Sequence, residues 1–465
     1  MIRSAKNFTS LLIGSVGSRL LGFMVTVYLA RILDVSGFGK ISFALAVFSF
    51  GLILTNPGLL LLGTREIATK KEKIGEYLPT IVVLRLLLAL FAFLLILSLL
   101  IFLPKSQDTK VLIFFYSLSL FAQVFLLEWF YQGIEEMEYI GISRLSVFFF
   151  YLPLVFLFVK GSQKILWVPL FWLIGNIAAS LFLIFIFRKR FGTIRLRFNP
   201  SLLLPLLKKS LPLGLAAIMI QIYLYFDTLL LGFFKGDESV GWYSAAYKLV
   251  FFVLLLDRIF AETLFPLMAR YSQESQEKLK ILLKRYAKMI VSLVLPIGVG
   301  GTLLASPIMN LVYGSQYEKG VIVFQILIWV VTLSSINSVY GFGLIGCGRE
   351  KKYTFAITIG TIANILLNLV MIPLFGLVGA AWVKLFSEGI MFALMVLQFE
   401  KIVQIQFWKY IPKPFLAAIS MGLLIHFLRD LHPLFLIFVG CITYPILLFL
   451  IRGFAIEEIS ILRRR

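Results

Sequence analysis

This 465-residue sequence predicts an all-α polytopic membrane protein of about fourteen transmembrane helices, on three observations. Hydrophobic residues make up 60% of the chain and charged ones 14%, a balance too apolar for a water-soluble domain. The apolar residues gather into about fourteen stretches, each near the roughly 20 residues that cross about 30 Å of hydrocarbon. The basic residues gather on alternate connectors. Backbone amides inside lipid must be paired within their own segment, so the stretches are expected to be helices.

In chain order the stretches are 8–33, 38–61, 79–103, 111–131, 142–160, 165–187, 211–234, 240–267, 286–305, 321–345, 353–373, 376–398, 411–429 and 432–452. The first is longer than the apolar core of a signal peptide and is expected to remain as a span. It carries Arg19 near its middle, with Ser15, Gly22 and Thr26 on the same helical face. No acid lies within one turn of Arg19 on its own helix, so a role in a polar cavity is favoured over pairing. Span 2 ends in Asn56-Pro57-Gly58, a helix break, and 63–78 is expected to form an amphipathic helix on the membrane surface. Arg85 enters span 3 where it can snorkel to the interface, and span 4 ends near Glu128.

Span 7 carries Asp227 with Gln221 and Tyr225, and span 8 carries Lys248, Asp257, Arg258 and Glu262. Span 11 bears a polar stripe of Thr354, Thr358, Thr361, Asn364 and Asn368, suited to hydrogen bonds between helices. Span 12 holds Lys384 and Glu388. The spacings Arg258–Glu262 and Lys384–Glu388 fit structural pairs one turn apart. If an ion gradient drives the protein, the acids Glu128, Asp227 and Asp257 are the coupling candidates. Asp227 leads, having no cation within a turn on the membrane side.

The net charge of +21 is a matter of topology. With a cytoplasmic N-terminus, 30 of the 44 Lys and Arg fall on the inner side. Nine lie outside: Arg31, Lys40, Lys105, Lys110, Lys160, Lys164, Lys235, Lys319 and Arg429. Five sit within spans. This is the positive-inside bias, with both termini cytoplasmic in a cell membrane facing anionic lipid. No nucleic-acid partner is implied.

The basic interruption 188–210 divides the chain. The expected organisation is a six-helix lobe over 1–190, a linker over 191–210, a second six-helix lobe over 211–400, and two further helices over 401–465. Gly39, Ser42 and Ala44 align with Gly241, Ser244 and Ala246 at a constant offset, each set between the first two spans of its half. An even number of preceding spans makes the halves parallel repeats.

Catalysis is not expected. No GxxxxGK[ST] loop or HExxH pattern occurs, His426 and His432 are the only histidines, and Cys347 and Cys441 show no metal spacing. No connector is long enough for a catalytic domain. Neither a cofactor nor a metal is expected.

Four blocks carry a family resemblance. LARILDVSGFGKISFA (29–44) resembles the glycine-containing signature after the first span of polysaccharide export flippases, although Val35-Ser36 replaces its usual Gly-Pro. EWFYQGIEEMEYIGISR (128–144) is similar to their Trp…Gln-Gly…Glu…Arg connector, and GWYSAAYKL (241–249) to a third motif. The segment 344–388, from LIGCGREKK to GLVGAAWVKLFSE, resembles their fourth. The resemblance is to oligosaccharide flippases of the O-antigen exporter type, in the superfamily that includes multidrug and toxin extrusion antiporters and lipid II flippases.

That resemblance implies a two-lobed transporter moving a polyprenyl-pyrophosphate-linked oligosaccharide from the inner to the outer leaflet by alternating access. It implies a cationic cavity, for which Arg19, Lys248, Arg258 and Arg85 are the candidate residues. Membrane lipids are implied partners, and a polysaccharide polymerase and glycosyltransferases are conceivable ones. A cation-coupled drug exporter and a membrane-embedded synthase or polymerase remain as alternatives.

Overall fold

The computed structural model describes the backbone of residues 2–192, 194 and 196–453, and the side chains of these residues except 2–9, 71 and 255–263. Among the described residues the chain is helical with no strand. Among the described residues, eleven segments are long and apolar enough to cross a membrane. Two of them, 200–254 and 350–399, are of double length, and Pro412–Phe427 adds a shorter apolar helix. The protein is a multi-pass membrane protein, and its helices are compatible with fourteen spans.

Both double-length segments are broken into two helical arms at a glycine. In α9 (Leu203–Glu274) the break is Gly236, at φ 82° and ψ 179°. In α13 (Glu350–Phe399) it is Gly376, at φ 60° and ψ −134°. These backbone angles are closed to residues with a Cβ, so glycine sets where each break falls.

Two compact units are present, Met1–Gly241 and Trp242–Arg465. The first contains α1 (Ile2–Ile32), α2 (Val35–Thr55), α3 (Leu59–Thr69), α4 (Ile74–Phe102), α5 (Gln107–Val124), α6 (Glu128–Gly133), α7 (Glu138–Phe158), α8 (Trp167–Phe191) and the first arm of α9. Asp34 starts α2 by accepting the Gly37 amide at 2.6 Å. Asn56 and Gly58 break the chain before α3, as the Asn-Pro-Gly sequence predicts. Helix α1 packs on α7, α7 on α8, α8 on α5, and α5 on α2 and α4.

One local expectation needs revision. The amphipathic segment is α3, Leu59–Thr69, whereas 74–78 already belong to α4. Its apolar face, with Leu59, Leu62 and Ile67, is buried in a core with Trp129, Phe130 and Ile81. Protein, not lipid, receives that face. The expected fourth span, 111–131, lies within the membrane-spanning segment Gln107–Gly133, in which a short turn after Val124 separates α5 from α6, opened by Glu128.

The second unit contains the remainder of α9, then α10 (Gln276–Leu303), α11 (Ala305–Tyr313), α12 (Val321–Gly346), α13, α14 (Pro412–Phe427) and α15 (Pro433–Leu450). Helix α12 packs against α10 and α13, and α14 bridges α10 and α15. The Tyr444 hydroxyl donates to the Ser292 carbonyl at 2.5 Å, tying α15 to α10. A cavity of about 550 Å³ lies within this unit, walled by apolar groups that include Phe252, Pro296, Met421 and Leu436.

Candidate functional site

The first unit builds its site on α1. Close packing fixes that helix against α7: a Cβ on Gly14 would collide with Gly141, and one on Gly17 would touch Leu145. Farther along, Tyr28 stacks on Phe156 at 4.1 Å. Small residues bring helices close without a hydrophobic drive, which lipid does not supply. The face bearing Ser15 and Arg19 lies beside this contact. Arg19 is half-buried, one helical turn beyond Ser15.

Arg144, from the second turn of α7, reaches across to this face. Its Nη1 donates to Ser15 Oγ at 2.8 Å. Its Nε donates to both Glu128 carboxylate oxygens at 3.2 and 3.1 Å, and its Nη2 to Glu128 Oε2 at 2.8 Å. The two side chains are 38% and 27% exposed. The geometry is the bidentate arrangement by which a guanidinium holds a carboxylate or a phosphate.

Arg85 has a different setting. It is 3% exposed, and it donates to the Val124 carbonyl at 2.9 Å and the Gln123 carbonyl at 2.8 Å. Ser180 donates to the next carbonyl, that of Ala122, at 2.8 Å. Because α5 stops inside the unit, its last carbonyls need donors, and a buried cation at a helix C-terminus meets both needs. Nearby, Gln123 donates to Asn176 at 2.7 Å. Arg85 thus serves the end of a helix in this structure.

Asp227 is buried at 1% exposure on the first arm of α9, with Gln221 and Tyr225 half-buried around it. Lys248 is half-buried on the second arm of α9, in the second unit. Beside it, the Lys384 ammonium lies 5.5 Å over the ring of Tyr247. Glu388 accepts from Asn337 at 3.1 Å, and Asn368 from the span-11 stripe donates to Asn364 at 3.1 Å. All five of Thr361, Asn364, Asn368, Lys384 and Glu388 are buried. The side chains of Asp257, Arg258 and Glu262 lie outside the described residues. Among the described residues, no group of three His, Cys, Asp or Glu side chains could hold a metal ion.

By sequence position alone Arg144 counts as one of the 30 basic residues on the inner side. The structure places it next to the Arg19 face. The signal was present in the Glu128-to-Arg144 motif, whose two charged ends are the two partners of the ion pair.

Comparison with known proteins covers nearly the whole chain. Residues 4–272 match the family described as polysaccharide biosynthesis protein, and residues 143–439 match the lipid II flippase MurJ family. A Shigella dysenteriae protein named as an O-antigen transporter is 24% identical over 396 residues, covering 84% of this chain and 98% of that protein. A Haloferax volcanii protein named as a low-salt glycan biosynthesis flippase is 25% identical over 207 residues, 43% of this chain and 44% of its own length. Among solved structures, the inward closed conformation of lipid II flippase MurJ superposes with a TM-score of 0.72 at 19% identity, covering 94% of this chain and 97% of that one. An inward-facing multidrug resistance MATE transporter gives 0.67 at 15% identity, over 84% of this chain and 98% of the other. At these identities the superpositions establish the fold.

Proposed function

The chain belongs to the polysaccharide biosynthesis protein family, in the superfamily of multidrug, oligosaccharidyl-lipid and polysaccharide exporters, and we propose that it is a flippase for a lipid-linked oligosaccharide. The observation that carries this reading is the family match over residues 4–272. The substrate we assign is a polyprenyl-pyrophosphate-linked oligosaccharide, moved from the inner to the outer leaflet by alternating access. Such a head group is large, polar and anionic, and its unaided passage through hydrocarbon is prohibitively costly. The arginine-bearing face of α1 supplies cations where a pyrophosphate needs them. The apolar cavity of the second unit suits a hydrocarbon chain. The excess of basic residues on alternate connectors supports cytoplasmic termini in a cell membrane.

The remaining site assignments rest on the same reading. Arg19 is the primary contact to the head group, with Lys248 and Arg258 as further cations. Arg85, occupied by the end of α5, is the weakest of the four. Glu128 is engaged by Arg144 through both carboxylate oxygens, so Asp227 and Asp257 are the better coupling acids. The two lobes and their basic linker, 191–210, follow the repeat pattern.

Proteoliposomes test the function. The native protein should move a fluorescent polyprenyl-pyrophosphate-linked oligosaccharide between leaflets, Arg19→Ala should not, and Arg19→Lys should retain part of the rate. Lys keeps the charge but lacks the planar fork. Transport of cationic dyes with no movement of the sugar lipid would favour a drug exporter instead.

A further inference from the structure

We propose that Arg144 is a phosphate-receiving residue at the edge of the α1 face, and that Glu128 occupies its guanidinium until the substrate's pyrophosphate takes its place. This deepens the flippase reading and rests on it. Four observations lead to it. First, Glu128 engages Arg144 through both carboxylate oxygens, the geometry in which one phosphate oxygen pair would bind. Second, the pair is 38% and 27% exposed, so an incoming anion can reach it without opening a core.

Third, the position of Arg144 does not depend on Glu128. One turn earlier on the same helix, Gly141 sits against Gly14, and the next residue, Leu145, meets Gly17. The Ser15 hydroxyl holds Nη1 from the other side at 2.8 Å. Glu128 sits instead at the start of the six-residue α6, after a turn and before the positive-φ residue Glu135 at φ 61°. The cation is anchored by helix packing, and α6 is anchored too by the buried Trp129, Phe130 and Tyr131, so release of Glu128 is a side-chain movement. Fourth, Arg19 lies one turn beyond Ser15 on α1, so an anion larger than a carboxylate can engage both arginines along one face.

The arrangement gives selectivity as well as attraction. A neutral lipid offers nothing that displaces Glu128, and a singly charged head group exchanges one charge for one. A pyrophosphate brings more charge and more acceptor oxygens, and only it gains Arg19 in the exchange. Glu128 therefore opposes every ligand by the same repulsion and is overcome by the most highly charged.

Calorimetric titration of the purified full chain in neutral detergent, with inorganic pyrophosphate as the probe, tests this. Glu128→Gln removes the competing charge but keeps the side-chain length, and should bind pyrophosphate about tenfold more tightly than the native protein. Adding Arg144→Lys to Glu128→Gln should abolish that gain. Outside positions 128 and 144 the surface is the same in all three proteins, so the differences report this pair. Equal affinity of the native protein and Glu128→Gln, or a gain that survives Arg144→Lys, would overturn the proposal.

A second arm uses farnesyl pyrophosphate and farnesol. Tighter binding of farnesyl pyrophosphate than of inorganic pyrophosphate, with no binding of farnesol at this site, supports a lipid head group as the ligand. Equal binding of the two pyrophosphates removes the lipid from the assignment. Failure of the flippase reading is separately visible: the titrations would follow the predicted order while proteoliposomes of the native protein moved no sugar lipid.

Discussion

Two ion pairs stand at opposite ends of the first unit, separated by the length of α5, about 27 Å for its 18 residues. Lys105 and Asp237 meet at 2.5 Å with side chains 8% and 14% exposed, and the ammonium also lies 4.8 Å over the ring of Phe43. The backbone is closed around them. A Cβ on Gly39 would collide with the Asp237 carbonyl, one on Gly241 with the Val35 carbonyl, and one on Gly232 with the Phe43 ring. Arg144 and Glu128 are a stronger pair by geometry, yet they stand open at 38% and 27%. The chemistry is alike, and burial divides the roles. A pair sealed by packing leaves an uncompensated charge when one partner goes, so it holds structure together. A pair in contact with solvent can trade one partner for a ligand.

The largest expected effect tests the sealed end. Gly39→Leu has to push α2 off the chain around Asp237, because the obstructing atom is a backbone carbonyl that cannot rotate away. Overpacking of this kind costs about 3 kcal/mol, so the variant should lose most of its monodisperse, detergent-extracted protein on size-exclusion chromatography. Gly161→Leu is the matched control, since nothing lies within 4 Å of its Cβ and its φ of 174° is ordinary extended backbone. Equal yields of the two variants would mean that the closeness at Gly39 is not required for folding.

The second prediction compares the pairs directly. Asp237→Asn leaves the Lys105 charge in a sealed site and should destabilise the protein by about 3 kcal/mol in thermal unfolding. Glu128→Gln leaves Arg144 in contact with solvent and should cost no more than about 1 kcal/mol. Raising the salt concentration should shrink the smaller effect and leave the larger one nearly unchanged. Equal losses at the two sites would break the comparison, because burial would then not decide which pair is structural.

The difference between the two ends also marks what a sequence can disclose. Lipid imposes a length and a composition on every span, so the helices were readable from apolar runs. The breaks inside α9 and α13 were bracketed by predicted span ends, with Gly236 and Gly376 close to those limits. Packing partners were not readable. Lys105 and Asp237 are 132 residues apart and share no local pattern. Arg85 is held by main-chain carbonyls, which have no letter in the sequence. The break between α5 and α6 was hidden because its residues, Phe125 to Leu127, are as apolar as the helix before them. Arg19 could be picked out because a mid-span cation is costly; Arg144 could not, because near a span end an arginine looks like any other topological charge.

The smallest expected effect separates burial from mere location. Lys40 follows Gly39 directly and pairs with Asp108 at 3.3 Å, at the same end of the unit as Lys105 and Asp237. Its side chain is 22% exposed and that of Asp108 is 60% exposed. A pair so open gains little from Coulomb attraction in high dielectric and loses side-chain entropy in forming. Lys40→Ala should therefore change thermal stability by about 0.5 kcal/mol or less, and the change should vanish in high salt. If Lys40→Ala instead costs as much as Asp237→Asn, the whole end of the unit responds to any lost charge. The cost would then follow position along the helices, and the open pair at Arg144 would owe its exchangeability to its place rather than to its exposure.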